Sequence, residues 1–323
     1  MELIDFADAA LSRIVGVADN PNLRFFYIYL AFGMLIAVLA HRFSRDERSF
    51  SEVFFARDVW LSRSAINDYA VMVLNPMIYL VMTAWLVSHF AVLQDWIASG
   101  IRFAGVSGEV TDANALLLAG ALTLSLYVVN DFVRWWVHYL QHRIPFLWEF
   151  HKVHHSAEHL NFATAERHHP VDVLLFMLIM TISISSVNGI FIGFFGEQLT
   201  VITVSGANVL WFASNIIGGV LRHSPIWVRF GPRVERWLIS PAMHHIHHSD
   251  DPRHFDKNMG GSLAIWDRMA GTLYIPSGRE VSGYGLGEET PEYRSLLALY
   301  ALPFRKAWAV LRGRKAQDVT PAE

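Results

Sequence analysis

Residues 131–155 read Asp131-Phe-Val-Arg-Trp-Trp-Val-His138-Tyr-Leu-Gln-His142-Arg-Ile-Pro-Phe-Leu-Trp-Glu-Phe-His151-Lys-Val-His154-His155, and residues 244–248 repeat the last pattern as His244-His245-Ile-His247-His248. On a helix, side chains three and four residues apart share one face, so each stretch gathers its imidazoles. Eight histidines have this spacing: His138, His142, His151, His154, His155, His244, His247 and His248. Because one first-row metal accepts at most about six ligands, eight imidazoles predict two metal ions.

Each pattern has an ordinary alternative. A lone H-x-x-x-H near a membrane surface usually consists of interfacial side chains, whereas H-x-x-H-H is rarer and two copies of it favour a metal site. His245 breaks the spacing and is expected to point away from the metals. The chain has no cysteine, which excludes disulfides and thiolate ligands. Imidazoles suit iron, zinc, copper or nickel, and spacing alone does not choose among them. A structural zinc site would need only four ligands, whereas an iron pair that activates dioxygen needs an anchored, partly open dinuclear site beside an apolar channel, which favours iron.

The composition predicts an integral membrane protein, since 53% of the 323 residues are hydrophobic and 17% are charged. The net charge of -3 offers no polybasic surface for nucleic acid. Stretches of about 20 apolar residues can cross a bilayer. The pattern therefore predicts an all-α membrane protein with four to five transmembrane helices and a cytoplasmic histidine-rich cap, the spans being 25–40, 69–93, 113–130, 173–195 and 198–217. The last two predict a helical hairpin, and Asn75-Pro76 predicts a kink.

Lysine and arginine indicate the orientation. They are sparse in residues 1–24 and 94–112 and frequent in 41–68, 134–170 and 218–323. The positive-inside rule then predicts a multi-pass protein of the cytoplasmic membrane, with the N-terminus outside and the histidines in the cytoplasm. Acidic residues before the first apolar stretch (Glu2, Asp5 and Asp8) make a cleaved signal peptide unexpected.

The chain divides into three predicted segments. Residues 1–64 hold the first span and a cytoplasmic loop, 65–275 the catalytic domain, and 276–323 a tail. Within the tail, the stretch from Tyr293 to Lys315 mixes apolar and basic residues and predicts an interfacial amphipathic helix interrupted at Pro303. An ordinary packing helix fits that stretch equally well.

The order of the motifs, H-x-x-x-H, H-x-x-H-H, apolar hairpin and H-x-x-H-H, resembles the fatty acid hydroxylase and sterol desaturase superfamily. Two further stretches look like those of alkylglycerol monooxygenases and their bacterial relatives. They are His154-His155-Ser156-Ala-Glu158-His-Leu-Asn161-Phe-Ala-Thr164-Ala165-Glu-Arg167 and Asp256-Lys257-Asn258-Met-Gly260-Gly261-Ser-Leu-Ala-Ile-Trp266-Asp267-Arg-Met-Ala-Gly271-Thr272. The resemblance covers roughly residues 65–275 and does not identify a substrate.

The resemblance implies a non-haem di-iron hydroxylase, a monooxygenase that uses O2 to insert oxygen into a C–H bond of a membrane lipid. Two electrons must come from an external donor such as a ferredoxin or a cytochrome with its reductase, because the chain has no cysteines for an iron–sulfur cluster and no G-x-G-x-x-G motif. Desaturation of a lipid, sterol or carotenoid at the same site is the alternative, and the ligand set does not separate the two. A histidine-based metal transporter is more distant, since it would hold its ligands near the bilayer midplane.

Residues around the boxes complete the predicted site. Many relatives carry a further histidine where this chain has Ala213, and His223 is expected to supply the missing imidazole, with a free interfacial histidine as the alternative. Metal-bound imidazoles need acceptors for their second nitrogen, and surface ion pairing is the alternative role of such acceptors. The predicted supporting residues are Asp131, Glu158, His169, Asn258 and Asp267, with His168 beside His169 at the cytoplasmic mouth.

Overall fold

The computed structural model describes residues 18–44, 46–106 and 108–313, without the side chains of residues 81–88. The acidic N-terminal residues Glu2, Asp5 and Asp8, and Arg314 and Lys315 of the predicted amphipathic helix, lie outside these ranges. The fold is mostly helical, and the regular strands within the described ranges are one pair of two residues each. The predicted all-α class is confirmed.

Helices carry both the apolar stretches and the histidine boxes. In chain order the α-helices are α1 (Tyr27–Arg42), α2 (Phe50–Phe54), α3 (Arg57–Leu61), α4 (Arg63–Phe103), α5 (Ala115–Arg143), α6 (Pro145–His155), α7 (Pro170–Phe195), α8 (Val209–Ile217), α9 (Pro241–His247), α10 (Ile265–Ala270) and α11 (Leu296–Leu311). Short 3-10 helices cover Phe162–Glu166, Gly219–His223, Pro252–His254 and Gly287–Tyr293. Strands β1 (Thr203–Val204) and β2 (Ala207–Asn208) pair antiparallel.

Two of these helices, α5 and α7, are long and apolar enough to cross a membrane. Helix α4 has 41 residues and runs through Pro76, so the predicted 69–93 span is part of a longer helix. Helix α1 has 16 residues, fewer than the roughly 20 that a perpendicular span needs. Large apolar side chains of α1 and α4 are nevertheless exposed, among them Leu35 and Val92. These helices give the chain the character of a membrane protein.

The segment 198–217 differs from the predicted transmembrane helix. Ser205 and Gly206 both have positive φ angles, 52° and 86°, and form the turn between β1 and β2. The side chain of Asn208 then accepts hydrogen bonds from the backbone of Leu210 and Trp211 and starts α8, which has nine residues. A turn and a helix cap therefore replace the first half of the predicted helix. The turn at Ser205-Gly206 and the cap at Asn208 determine the backbone here, although the stretch is apolar.

Small residues on α7 bring that helix close to α4. A Cβ atom on Gly189 would lie 2.7 Å from the Gln94 carbonyl oxygen, and one on Gly193 would lie 2.8 Å from Cβ of Ile101. These distances are too short for any side chain, so both glycines serve close helix packing. The packing joins the last turns of α7 to the second half of α4.

The C-terminal helix α11 covers α6. Its buried face includes Leu299, Leu302 and Lys306, while Leu297 and Trp308 on the opposite face are exposed. Lys306 donates to Glu289 at 2.8 Å and pairs with Glu292 at 3.0 Å. The helix continues through Pro303, where the sequence predicted an interruption. It therefore packs on the catalytic region and leaves an apolar stripe on its outer side.

Candidate metal centre

The end of α5 and the whole of α6 supply the first two boxes. Helix α5 continues to Arg143, so His138 and His142 lie one turn apart on it. Ile144 takes an extended conformation and Pro145 occupies the first turn of α6, a position where proline needs no amide hydrogen. The chain therefore turns sharply, and α6 brings its own histidines back towards the end of α5.

The third box lies on the short helix α9. Ser240 caps this helix by accepting a hydrogen bond from the Met243 amide at 3.3 Å, and Pro241 follows in the first turn. Tight caps at this end compensate for a length of seven residues, too short for a helix to be stable alone. The 3-10 helix Gly219–His223 presents His223 to the same region.

The nine predicted ligands lie in two groups. In each group, one nitrogen from every histidine lies within 4.8 Å of the others. The five-histidine group consists of His138, His142, His151, His155 and His247, and the four-histidine group consists of His154, His223, His244 and His248.

The two groups share their helices and lie side by side. Helix α6 gives His151 and His155 to the five-histidine group and His154 to the other. Helix α9 likewise gives His247 to the five-histidine group. His244 of the same helix and His248, which follows its last turn, belong to the four-histidine group. The ring centroids of His155 and His248, one from each group, are 4.6 Å apart.

The ring nitrogens of the five-histidine group fit a metal ion. The Nε2 atoms of all five residues are buried and lack a hydrogen-bond partner among the described residues. Burying a polar atom without a partner costs on the order of 1–3 kcal/mol, so five such atoms aimed at one place are not stable as bare nitrogens. Their lone pairs are the donor set that divalent transition metals prefer.

The four-histidine group shows the same chemistry through its contacts. The Nε2 atom of His223 lies 3.0 Å from Nε2 of His244, 3.2 Å from that of His248 and 3.3 Å from that of His154. A neutral imidazole carries one N–H, so a single nitrogen cannot satisfy three neighbours by hydrogen bonding. A metal ion accepts all four lone pairs at once.

Backbone carbonyls fix the second nitrogen of several rings. Nδ1 of His138 lies 2.8 Å from the Met259 oxygen, and Nδ1 of His247 lies 2.8 Å from the Lys257 oxygen. A carbonyl only accepts, so each Nδ1 carries the hydrogen and each Nε2 presents its lone pair to the group.

Asp172 was not identified from the sequence and contacts two histidines. Its Oδ2 atom accepts hydrogen bonds from Nδ1 of His151 at 3.3 Å and from Nδ1 of His168 at 2.9 Å, while Oδ1 accepts one from Gln141. The acidic residue follows Pro170 in the first turn of α7, where a carboxylate is ordinary. The position gave no signal that the side chain turns towards a metal group.

Burial keeps the imidazoles outside the membrane helices neutral. It lowers the pKa of His154, His155, His244 and His248 well below the usual value, and neighbouring histidines lower it further. A neutral imidazole has the free lone pair that a metal ligand requires. The site is therefore ready to bind metal at neutral pH.

Two of the predicted supporting residues organise the loop beside the centre. Asp267 accepts hydrogen bonds from the amides of Met259 and Gly260 at 2.9 and 2.7 Å, which orients the Met259 carbonyl towards His138. Asn258 donates to the Met243 oxygen at 3.1 Å and so ties the same loop to α9. Both act through the backbone and not by touching an imidazole.

The other predicted supporting residues contact no histidine of either group. Asp131 accepts from the amides of Ser262 and Leu263, at 2.8 and 3.1 Å, and from the Trp266 indole. Glu158 forms an ion pair with Arg294. His169 caps α7 and lies 3.1 Å from the Tyr300 oxygen of α11. Helix α8 exposes Ala213, and His245 faces Tyr284, away from both groups.

A helical fold with two adjacent histidine groups at the end of apolar helices defines a class of histidine-rich membrane metalloproteins. Comparison with known families specifies it further, since residues 123–272 match the fatty acid hydroxylase family. The predicted resemblance to this family is thereby confirmed over residues 123–272. The matched residues include every histidine of both groups.

Two of the curated relatives are named as a monooxygenase and a hydroxylase. The chain is 30% identical over 153 residues to an alkylglycerol monooxygenase of Danio rerio, covering 47% of this chain and 30% of the relative. It is 28% identical over 193 residues to an ornithine lipid hydroxylase of Rhizobium tropici, covering 59% and 53%. The chain thus spans about a third of the former and about half of the latter. No solved structure matches it.

Proposed function

We propose that this protein is a di-iron, O2-dependent hydroxylase that inserts oxygen into a C–H bond of a membrane lipid. The observation that carries the proposal is the pair of adjacent histidine groups, which together present nine imidazoles beside apolar helices. Two of the relatives are named as a monooxygenase and a lipid hydroxylase, which is the same reaction class.

The chain's own residues would hold one metal in each group. Met259, Lys257 and Asp172 keep the Nδ1 hydrogens of His138, His247 and His151 directed away from the metals. Bound iron would supply the capacity to reduce O2 with two external electrons and to oxidise an unactivated C–H bond. Because seven of the nine histidines are buried and His138 and His142 are half-buried, the site would limit the access of water.

The catalytic domain in this proposal extends from 65 to 275, beyond the matched family region. Asp68 near the start of α4 pairs with Arg167 at 2.8 Å, and both side chains are buried. Arg167 also accepts the Nδ1 hydrogen of His154 on its backbone oxygen, at 3.3 Å. The beginning of α4 is therefore tied to the four-histidine group. Residues 1–64 and 276–323 would flank this domain.

We further propose four membrane-embedded helical segments, α1, α4, α5 and α7, with the histidine centre on the cytoplasmic side and an external electron donor docking there. The basic residues of the 134–170 segment favour a cytoplasmic location for the histidine centre. We do not extend the proposal to an outside N-terminus. The reason is that Arg24, just before α1, lines a cavity together with His223.

The test pairs metal analysis with lipid analysis. Detergent-purified protein is expected to contain about two irons per chain, in line with two groups of four and five imidazoles. A His154→Ala, His247→Ala double variant should lose that iron, while the matched control His245→Ala should keep it. Cells expressing the protein under 18O2 should accumulate a lipid that contains one 18O atom.

The alternatives give different results. A lipid lighter by two hydrogens, with iron present, would establish desaturation in place of hydroxylation. Protein that binds no iron when reconstituted anaerobically, with unchanged lipids in the cells, would overturn the oxygenase proposal.

A further inference from the structure

Three arginines surround the histidine centre on its apolar side. Arg134 lies on α5, one helical turn before His138, and Arg222 directly precedes His223. Arg24 and His223 line the same small cavity. A guanidinium keeps its charge at neutral pH, so Arg222 is a cation.

These cations have no carboxylate partner within residues 18–44, 46–106 and 108–313. Arg134 donates from Nε to Asn130 at 2.8 Å, and its guanidinium lies over the rings of Trp211 and Phe176, at 4.6 and 5.0 Å. Arg222 makes a long contact of 3.4 Å with the Ser262 hydroxyl, and its Nε atom is buried without a partner.

Asp131 is the carboxylate whose charge acts on Arg134 and Arg222, but its oxygens already accept other hydrogen bonds. Both of its oxygens accept hydrogen bonds from the backbone or the indole of residues 262–266. Three guanidinium groups therefore face one carboxylate that is used elsewhere. All three arginines are half-buried, and leaving charges without partners away from water is costly, so a bound anion would balance this excess.

We propose that Arg24, Arg134 and Arg222 bind the acidic headgroup, a carboxylate or a phosphate, of the lipid that the histidine centre oxidises. This inference rests on the proposed function and names its substrate class. Guanidinium groups match both anions in geometry, since two parallel N–H donors meet two oxygens. The aromatic rings beneath Arg134 hold its guanidinium in place before the lipid arrives.

The position of the arginines also determines where the lipid is oxidised. One helical turn advances about 5 Å, so an anion bound at Arg134 lies directly beside His138. The carbons closest to the headgroup then face the metals, and the end of the acyl chain extends away into the membrane. The product hydroxyl is accordingly expected within a few bonds of the acidic group.

Binding is measured on the iron-loaded protein in detergent, without turnover, using two matched pairs of probes. Dioleoyl phosphatidic acid is compared with dioleoylglycerol, and oleate with oleyl alcohol. The acidic member of each pair should bind at least about tenfold more tightly, the effect of one or more charge-assisted hydrogen bonds. Arg222→Gln and Arg134→Gln should remove most of this preference and leave the iron content and the affinity for the neutral probes unchanged.

Controls keep the result interpretable. Arg102→Gln removes an exposed arginine at the end of α4 and should preserve the preference. Arg24→Gln alters a residue outside any helix and tests the same cluster if the variants on α5 or beside His223 fail to fold. Equal affinity for acidic and neutral probes, or a preference that survives all three substitutions, would overturn the proposal.

A product experiment separates a substrate from a lipid that is merely bound. If acidic lipids bind through the arginines but only neutral lipids gain 18O, the arginines hold a non-substrate lipid and the substrate assignment is wrong. Because probe binding is read without turnover, iron-loaded protein that binds acidic lipids but oxidises no lipid would count against the proposed function alone.

Discussion

Asp172 and His151 form a buried pair in which Oδ2 of the carboxylate lies 3.3 Å from Nδ1 of the imidazole. The same oxygen accepts a hydrogen bond from His168, whose ring stacks on His154 with centroids 4.2 Å apart. His151 belongs to the five-histidine group and His154 to the four-histidine group. One carboxylate therefore supports an imidazole in each group.

Asp172→Asn should weaken metal binding at both groups. The amide keeps the shape of the side chain but loses the negative charge that favours N–H donation from His151 and His168. Loss of such a supporting carboxylate typically lowers metal affinity about 10- to 100-fold. Chelator competition on the iron-loaded protein measures this affinity, with Asp95→Asn, on the exposed surface of α4, as the control. Equal affinities of Asp172→Asn and the parent would leave the carboxylate without this role.

His223→Ala should remove one of the two irons. Its Nε2 atom lies within 3.3 Å of three other imidazoles, so the four-histidine group would keep only three ligands. The five-histidine group does not include this residue and should retain its metal. Elemental analysis should therefore give about one iron per chain, compared with about two in the parent.

A second substitution tests why this chain has alanine at position 213. Since Ala213 is exposed on α8, adding Ala213→His to the His223→Ala variant should not restore the lost iron. Recovery of two irons would mean that α8 can turn that position towards the centre. Retention of both irons in His223→Ala alone would instead exclude His223 as a ligand.

The sequence predicted which histidines lie together, but it did not predict how they divide into two groups. Histidine spacing identifies the faces of α5, α6 and α9, because i, i+3 and i+4 positions on a helix are neighbours. It does not reveal that His151 and His154, on one helix, serve different groups, since that depends on how α9 and the 219–223 segment pack against α6. Asp172 was missed for a similar reason.

Apolar composition was the less reliable guide to the fold. It correctly indicated α5 and α7, whose lengths of 29 and 26 residues suit a bilayer. It failed at 198–217, where the Ser205-Gly206 turn and the Asn208 cap interrupt an apolar stretch. Single residues with special backbone or capping chemistry had more weight there than mean hydropathy.

Gly260→Ala should disturb the five-histidine group from a distance. An added Cβ would lie 2.8 Å from Oδ2 of Asp267 and 2.9 Å from the Leu263 oxygen, so the loop must shift. That shift moves the adjacent Met259 carbonyl, which holds His138. We expect destabilisation of about 1–3 kcal/mol, as for other overpacked sites, and a lower iron content.

Thermal unfolding in detergent and elemental analysis measure the two effects of Gly260→Ala. Gly278→Ala provides the matched control, because nothing lies within 4 Å of its added Cβ and its φ angle is not positive. If the variant and the control have the same melting temperature and iron content, the loop does not position His138.

Lys306→Met should loosen the C-terminal helix from α6. Lys306 is fully buried and contacts Glu289 and Glu292, while Glu289 also pairs with Lys152 of α6 at 2.9 Å. Removing one cation leaves the carboxylates undercompensated, at a cost of about 3 kcal/mol. The melting temperature should fall by several degrees, whereas Arg312→Met at the exposed end of α11 should have little effect. An unchanged melting temperature for Lys306→Met would show that the network contributes nothing to this packing.

The absence of cysteine allows the orientation to be measured directly, because a single introduced thiol is the only one in the chain. Asp112→Cys tests the loop before α5, Arg253→Cys the exposed surface near the histidines, and Asp19→Cys the approach to α1. In right-side-out vesicles, a membrane-impermeant maleimide should label only the first. The other two should react after permeabilisation, since Arg24 and His223 line one cavity. Labelling of Arg253→Cys in sealed vesicles would reverse the proposed orientation. If Asp19→Cys and Asp112→Cys are both labelled in sealed vesicles and Arg253→Cys is not, the N-terminus lies outside, as the distribution of basic residues predicts.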